Sequence, residues 1–392
     1  MTITETALPG VLCITPRVFG DDRGFFLETY REQDLLARAL KLRFVQDNQS
    51  RSVRGTLRGL HYQCVQPQGK LVRVSAGAVL DVAVDAYVRD GAPSTRKLVL
   101  RIARGHRVRN LFRVTNSYND DMAWMGLALE RAQRHAGLNS ARRLRVLSDT
   151  LYDAWVPDAG GGITWRTTGL FLNAPANGPA GIFLARMGRF ERAEETSDWL
   201  YRRLLDLETG LINDGVDGDY DSPEAGKIYP EKYSYNQGVT IGLDVELSSD
   251  LAPTHAVRAA GLIAAVAEHM TDGAVITGGD GGDGGLFNGI LIRYLSVAAR
   301  ALRGPDAEDA RTLASEIVFA SAEAAWHGTR ELDGRVLFSA DWTRDARIPG
   351  TSDAPAYFTG GTVRSSETPE RDLSVQVGGW MAMEAAAALA RH

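Results

Sequence analysis

Two adjacent carboxylates, Asp120 and Asp121, are the residues of this chain best suited to chemistry. They lie in Ser117-Tyr-Asn-Asp-Asp-Met-Ala-Trp124, between a polar run and a long apolar helical pattern. Successive side chains on a helix diverge by about 100°, so neighbouring carboxylates reach one cleft only near a helix end. There the carboxyl groups can stand about 5 Å apart, the spacing at which one attacks a glycosidic carbon while the other handles the proton. Two like charges so close push their proton affinities apart, leaving one group ionised and the other protonated. For an isolated pair, capping a helix and complementing its dipole is the plainer alternative. The surroundings must decide.

The elements around the pair are helical. From residue 104 onward the apolar spacing follows a period near 3.6. Met122, Met125, Leu129 and Ala132 form one stripe of the helix that starts at the pair, and Trp124, Leu127 and Ala128 widen it. Further helices are predicted near 142–156, 174–190, 193–208, 234–248, 254–270, 286–302, 307–326 and 371–390. Paired helices joined by alternately short and long loops predict an α/α toroid whose long loops rim a cleft. Those loops hold Gly160-Gly-Gly-Ile-Thr-Trp165, Asn213-Asp-Gly215, Tyr233-Ser-Tyr-Asn-Gln-Gly238 and the glycine-aspartate run 277–285. Aromatic faces with amides and carboxylates are what a carbohydrate cleft needs. The glycine-aspartate run has neither EF-hand spacing nor the Lys-Ser/Thr of a phosphate loop, so it reads as a cleft loop without metal.

The first quarter is different. Residues 11–103 read as strands and turns, with a short helix over 33–40 and a hairpin pairing Leu71–Ser75 with Val79–Asp85. Charge follows the same division: residues 1–103 carry 15 Lys/Arg against 10 Asp/Glu, the remainder 29 against 39. Such asymmetry predicts two modules, 1–103 and 104–392, the first with an anionic ligand. Two cysteines, Cys13 and Cys64, exclude a disulfide scaffold. No apolar run reaches the length of a membrane span, and no secretory signal is visible, so a cytoplasmic location is expected. The arginines between Arg101 and Arg113 form a short run at the junction, which reads as a solvated linker and not a nucleic-acid surface.

Three strings in the first module, Arg23-Gly-Phe-Phe-Leu-Glu28, Phe44-Val-Gln-Asp-Asn48 and Leu57-Arg-Gly-Leu-His-Tyr-Gln63, precede Pro67-Gln-Gly-Lys70. In that order they resemble the amino-terminal half of the dTDP-4-dehydrorhamnose 3,5-epimerases, cupin-type enzymes. The resemblance implies that His61 removes protons beside the 4-keto group and that Lys70 stabilises the enolate. It also implies that Arg23, Gln46, Asn48 and Arg58 hold the nucleotide sugar. A near-neutral imidazole and a cation beside the oxyanion suit that reaction. The strings that would carry the second half of the jelly roll, with its acid, have no counterpart here.

The second module resembles glycoside hydrolase family 76, the endo-α-1,6-mannanases and related enzymes on an (α/α)6 fold. The resemblance rests on Tyr118-Asn-Asp-Asp-Met-Ala-Trp124, Gly160-Gly-Gly, Asn173-Ala-Pro-Ala-Asn-Gly-Pro179, Asp214-Gly215 and Tyr235-Asn-Gln-Gly238, followed by Leu286-Phe-Asn-Gly289, Arg293-Tyr294 and Asp341-Trp342. It implies that Asp120 is the nucleophile and Asp121 the general acid/base of a retaining mechanism, with no cofactor. Asp214, Tyr235, Asn236 and Gln237 are the candidates for binding mannose hydroxyls. The expected architecture is thus mainly α: a toroid lacking its first helices, preceded by a partial jelly roll. The expected function is hydrolysis of α-1,6-linked mannan. Nucleotide-sugar epimerisation, and an inactive fusion or glycan-binding protein, are the alternatives.

Overall fold

Strands and tight turns build the amino-terminal unit, as its period-two patterning predicts. The computed structural model describes residues 2–6, 11–36, 44–51, 69–77 and 114–390, except 220, 222, 250–252, 305, 306, 333, 334, 360 and 361. The chain divides into two units, one within residues 1–105 and one carrying residues 106–392. In the first, β1 (Thr2–Glu5) pairs antiparallel with β2 (Leu12–Thr15), and β3 (Val18–Asp21) pairs with β4 (Gly24–Leu27). The turn at Asp22-Arg23 ends on Gly24 at φ 138°, a conformation closed to side chains with a Cβ. A short helix, α1 (Glu32–Leu36), follows; the rest of its predicted span, 37–40, lies outside the described residues. Phe25 and Phe26, which point to opposite faces of β4, are 73% and 72% exposed. The predicted hairpin lies only partly within the described residues. Residues 71–75 form no strand, and their proposed partner, 79–85, lies outside the described residues, as does the arginine run 101–113.

The second unit is helical. Nine long helices are described: α2 (Asn119–Ala136), α3 (Ala141–Asp153), α4 (Ala174–Arg186), α5 (Phe190–Leu204), α6 (Ser234–Leu247), α7 (Pro253–His269), α8 (Phe287–Ala301), α9 (Ala307–His327) and α10 (Leu373–Leu389). In chain order they alternate between two layers. Helices α2, α4, α6, α8 and α10 pack side by side as an inner row, while α3, α5, α7 and α9 lie outside them. This is an α/α-toroid-like arrangement.

The sequence shows why some helices are inside. Ala174–Ala185 of α4 are buried all round, as are nearly all residues of α6, whereas α5 buries one stripe through Ala193, Trp199, Leu200 and Leu204. Glycine lets inner backbones approach. A Cβ on Gly238 of α6 would stand 2.7 Å from the Cα of Leu291 on α8, and one on Gly289 would stand 2.8 Å from the Cα of Gly378 on α10. A buried carboxylate ties the layers together. Asp244 on α6 accepts from Ser197 Oγ at 2.7 Å and Tyr201 Oη at 2.8 Å on α5, and lies 2.9 Å from His255 Nδ1 on α7. Among the described residues, no helix is long and apolar enough to cross a membrane.

Candidate functional site

The inner helices bring their N-termini to one end, and the loops there build the site. Helix α2 starts at Tyr118 without a side-chain cap, with Asp120 and Asp121 in its first turn. The dipole and the free N–H groups of that turn favour negative charge. Asp120 is half-buried. Its Oδ1 accepts the Asp121 backbone N–H at 2.8 Å, and its Oδ2 accepts the Trp165 indole N–H at 2.9 Å. Asp121 faces solvent, and its Oδ2 accepts from Asn116 Nδ2 at 2.8 Å. Burial, then the charge of Asp121, raises the Asp120 carboxyl to about 6, against the pull of its hydrogen bonds.

The loop carrying Trp165 is shaped by three successive glycines, Gly160 to Gly162, at φ 76°, 95° and 93°. A Cβ on Gly162 would stand 2.6 Å from the Trp199 ring, so both dihedral and space demand glycine there. Asn177 of α4 then holds Ile163 at both backbone groups: Ile163 N–H donates to its Oδ1 at 2.8 Å, and its Nδ2 donates to Ile163 O at 2.8 Å. The loop returns to α2, where Asn119 N–H donates to Trp165 O at 2.9 Å and Asn119 Nδ2 to Thr164 O at 2.8 Å.

Asp214 sits between α4 and a three-stranded antiparallel sheet, β5 (Phe171–Asn173), β6 (Gly215–Asp217) and β7 (Ile228–Tyr229). Its backbone joins both neighbours: Ala174 N–H donates to Asp214 O at 2.8 Å, and Asp214 N–H to Tyr229 O at 3.1 Å. Burial raises its carboxyl to about 6; the Asn236 amide, donating at 3.2 Å, opposes this, and Glu231 adds to it. Tyr235 stacks on Phe287 with ring centroids 4.2 Å apart. Burial pushes its phenol well above the usual range, and the charges of Asp214, Asp120 and Asp283 add to the effect. Asp120, Asp214 and Asp283 thus lie near enough to Tyr235 for their charges to act on it.

The turn of the glycine-aspartate run, Gly282–Leu286, leads into α8, and a hairpin of β8 (Tyr357–Thr359) and β9 (Thr362–Arg364) packs beside it through β9. Val363 N–H donates to Asp283 Oδ2 at 2.9 Å. Gly282 N–H donates at 2.7 Å to Asp372 Oδ2, which also accepts Ser366 N–H at 3.1 Å. Burial raises the Asp283 carboxyl; the Val363 bond opposes this, and the charge of Asp121 adds to it.

Of the predicted binding residues, Asp214 and Tyr235 are half-buried, and the fully buried Asn236 donates to Asp214. Gln237 is placed differently. It is fully buried, its Oε1 accepts Ile212 N–H at 2.7 Å, and its Nε2 donates to Ile212 O at 2.9 Å and Tyr233 O at 3.0 Å. Its amide braces the 212–214 loop and leaves nothing for a ligand. Sequence reasoning did not single out Trp165, Asn116, Asn177, Asp283 or Asp372. Trp165 ends a string already marked as unusual, which was signal enough; Asp372 bonds to residues far away in sequence and gave none.

In the amino-terminal unit, Arg23 pairs with Asp21 at 2.5 Å, Gln46 donates to Asn48 at 3.1 Å, and Lys70 is exposed. Arg58 and His61 lie outside the described residues. Residues 5–112 match the dTDP-4-dehydrorhamnose 3,5-epimerase family. The enzyme of that name from Pseudomonas aeruginosa is 56% identical over 95 residues, 24% of this chain and 51% of that protein. The chain thus spans about half the length of the curated relatives it matches.

The helical unit matches a different set of proteins. The GH76A α-1,6-mannanase from Salegentibacter sp. HEL1_6 superposes with a TM-score of 0.61 and 28% identity, over 74% of this chain and 81% of that one. The helical unit is similar to family 76 α-1,6-mannanases. An inactive variant of the same mannanase, with two consecutive aspartates replaced by alanine, was solved with α-1,6-mannotetrose. It matches with a TM-score of 0.61 and 27% identity, over 76% of this chain and 83% of that one. The mannanase-like unit thus has a glycoside hydrolase fold.

Proposed function

We propose that the helical unit is a retaining glycoside hydrolase that cleaves α-1,6-linked mannan or related mannosides at the Asp120–Asp121 pair. The observation that carries this reading is the pair itself. Two consecutive carboxylates open an inner helix at the cleft end, one half-buried and gripped by an indole, the other open to solvent. That a structurally similar mannanase was made inactive by replacing two consecutive aspartates supports it.

Asp120 accepts two hydrogen bonds, which favour its carboxylate form. Above about pH 6 it is ionised and serves as the nucleophile. Its oxygen bonds to the anomeric carbon as the glycosidic bond breaks, and Asp121 gives its proton to the leaving oxygen. Water then attacks the same carbon, Asp121 takes the water's proton, and the Asp120 ester bond breaks. Tyr235, Asp214 and Asp283 surround the space in which the sugar would lie, and their oxygens suit hydroxyl groups.

The test is product analysis after incubation with α-1,6-mannan, with Asp120→Asn alongside. Short mannose oligomers from the parent and none from the variant are expected. A folded parent that yields no oligomers would overturn the reading in favour of glycan binding without cleavage. A second reading, epimerisation of a 4-keto sugar nucleotide by the amino-terminal unit, is favoured by the 56% identity there. Exchange of solvent protons into that substrate would establish it, and its absence would exclude it.

A further inference from the structure

The contact that distinguishes Asp120 from Asp121 comes from outside their helix. Among the described residues, the Trp165 indole is the one side chain that donates to Asp120. An indole nitrogen has a hydrogen to give and no lone pair to offer, so the sense of this bond is fixed. Trp165 also grips the first turn of α2 through its backbone, because its carbonyl accepts the Asn119 N–H at 2.9 Å. The ring is held in turn. Tyr118 meets it edge-on at 5.6 Å and 71°, and Phe171 does so at 6.3 Å and 87°.

Over the face of that indole lies a cation. The Arg166 guanidinium stands 4.5 Å from the Trp165 ring centroid and 5.0 Å from that of Tyr118. Among the described residues its buried Nε has no hydrogen-bond partner, and the two rings flank the guanidinium. A cation on an aromatic face draws on the π density and makes the ring N–H a better donor. Guanidinium, indole and carboxylate thus form a short series ending at one oxygen of the pair.

We infer that Trp165, polarised by Arg166, is a positioning residue that favours the carboxylate form of Asp120 and fixes the direction of its free lone pairs. This rests on the role given to the pair above. Asp121 on the same helix and Tyr235 from α6 also face Asp120, while Asp283 faces Asp121 across the cleft. None of these donates a hydrogen bond to the Asp120 carboxylate among the described residues. Without the indole N–H, burial and the charge of Asp121 act unopposed by any side-chain donor.

Replacing Trp165 by Phe keeps an aromatic ring and deletes the N–H. The Asp120 titration should then move upward by about one pH unit, the size expected for a lost charge-assisted hydrogen bond. Arg166→Met should move it the same way by less. The measurement is the carboxyl carbon-13 signal of the full chain labelled at aspartate, followed through the titration, with Asp120 assigned by its disappearance in Asp120→Asn. Because this signal needs no turnover, it separates the present inference from the hydrolase reading. A midpoint shifted by Trp165→Phe, beside a parent that does not cleave mannan, would sink the hydrolase reading and leave this one standing. An unmoved midpoint in a Trp165→Phe protein of native circular dichroism would overturn the positioning role. Should Trp165→Phe fail to fold, an unmoved midpoint in Arg166→Met would do the same. In an active parent, the acid limb of the pH–rate profile should follow the carboxyl signal.

Discussion

Asn177 is the residue whose loss should travel furthest, because it connects the core of the helical unit to the loop that holds Asp120. It is fully buried on α4, and its amide makes three hydrogen bonds. Two go to Ile163, and the third is donated to Asn173 O at 2.8 Å. Ile163 lies two residues before Trp165 and bridges antiparallel to Trp155, and the amide pairs with the N–H and C=O of Ile163 itself. Asn177→Leu keeps the volume and removes every bond. A buried group left without a partner costs about 1–3 kcal/mol, and three are exposed to that cost at once. Burying the apolar leucine returns about 1 kcal/mol or more. The net loss should be about 3 kcal/mol, read as a lower urea midpoint at unchanged slope by far-UV circular dichroism. Hydrolysis of α-1,6-mannan should also fall under conditions where the variant is still folded, since Trp165 loses its seat. A destabilisation below about 1 kcal/mol would refute the reasoning, because it would mean that Ile163 finds other partners at little cost.

Two further outcomes follow from the same structure. The Asp214 carboxyl rises from 3.8 to about 6 on folding, so the native state holds the proton more tightly. That contribution to stability is complete below about pH 4 and is lost as pH rises through about 6, with a ceiling of about 3 kcal/mol that partial exposure reduces to about 1–2. Asp214→Asn should therefore be more stable than the parent at pH 8 by about 1 kcal/mol and similar to it at acid pH, while mannan cleavage drops; lower stability at pH 8 would contradict this. Gly238→Ala places a methyl 2.7 Å from the Leu291 backbone and should cost about 1–3 kcal/mol by separating α6 from α8; a neutral effect in urea would show that the inner helices are not in tight backbone contact.

The helices were legible because their apolar spacing is strong and long. The predicted span 234–248 differs by one residue at one end from Ser234–Leu247, and 254–270 by one residue at each end from Pro253–His269. The span 193–208 was placed late because Phe190, at the start of α5, is 56% exposed and adds nothing to an inward stripe. In the site, residues whose roles depend on their own neighbourhood were readable: Asp120 and Asp121 declare themselves by adjacency at a helix start. Residues whose roles depend on distant partners were not. Asp372 precedes α10 and looks like its cap, yet it makes no capping bond and spends its carboxylate on Gly282 and Ser366. Gln237 stands in a polar run beside Tyr235 and looks like a ligand-facing amide, but helical rotation turns it onto the Ile212 backbone.

The inner row shows how far patterning alone can carry an architectural argument. Helix α10 is apolar apart from Ser374, Gln376 and Glu384, close to the pattern of a helix surrounded by others. Yet among the described residues it packs against inner helix α8 on one flank only, and on another flank Val377 and Trp380 are 40% and 64% exposed. At the other end of the row, α2 leaves Met125 half-buried and Ala128 exposed. The long-range ion pair between these two terminal helices, Arg131 to Glu384 at 3.4 Å, is solvent-exposed and worth little. A sequence that keeps alanine, methionine and tryptophan on all faces of α10 is written for a closed ring. The five inner helices described here leave that ring open between its first and last members.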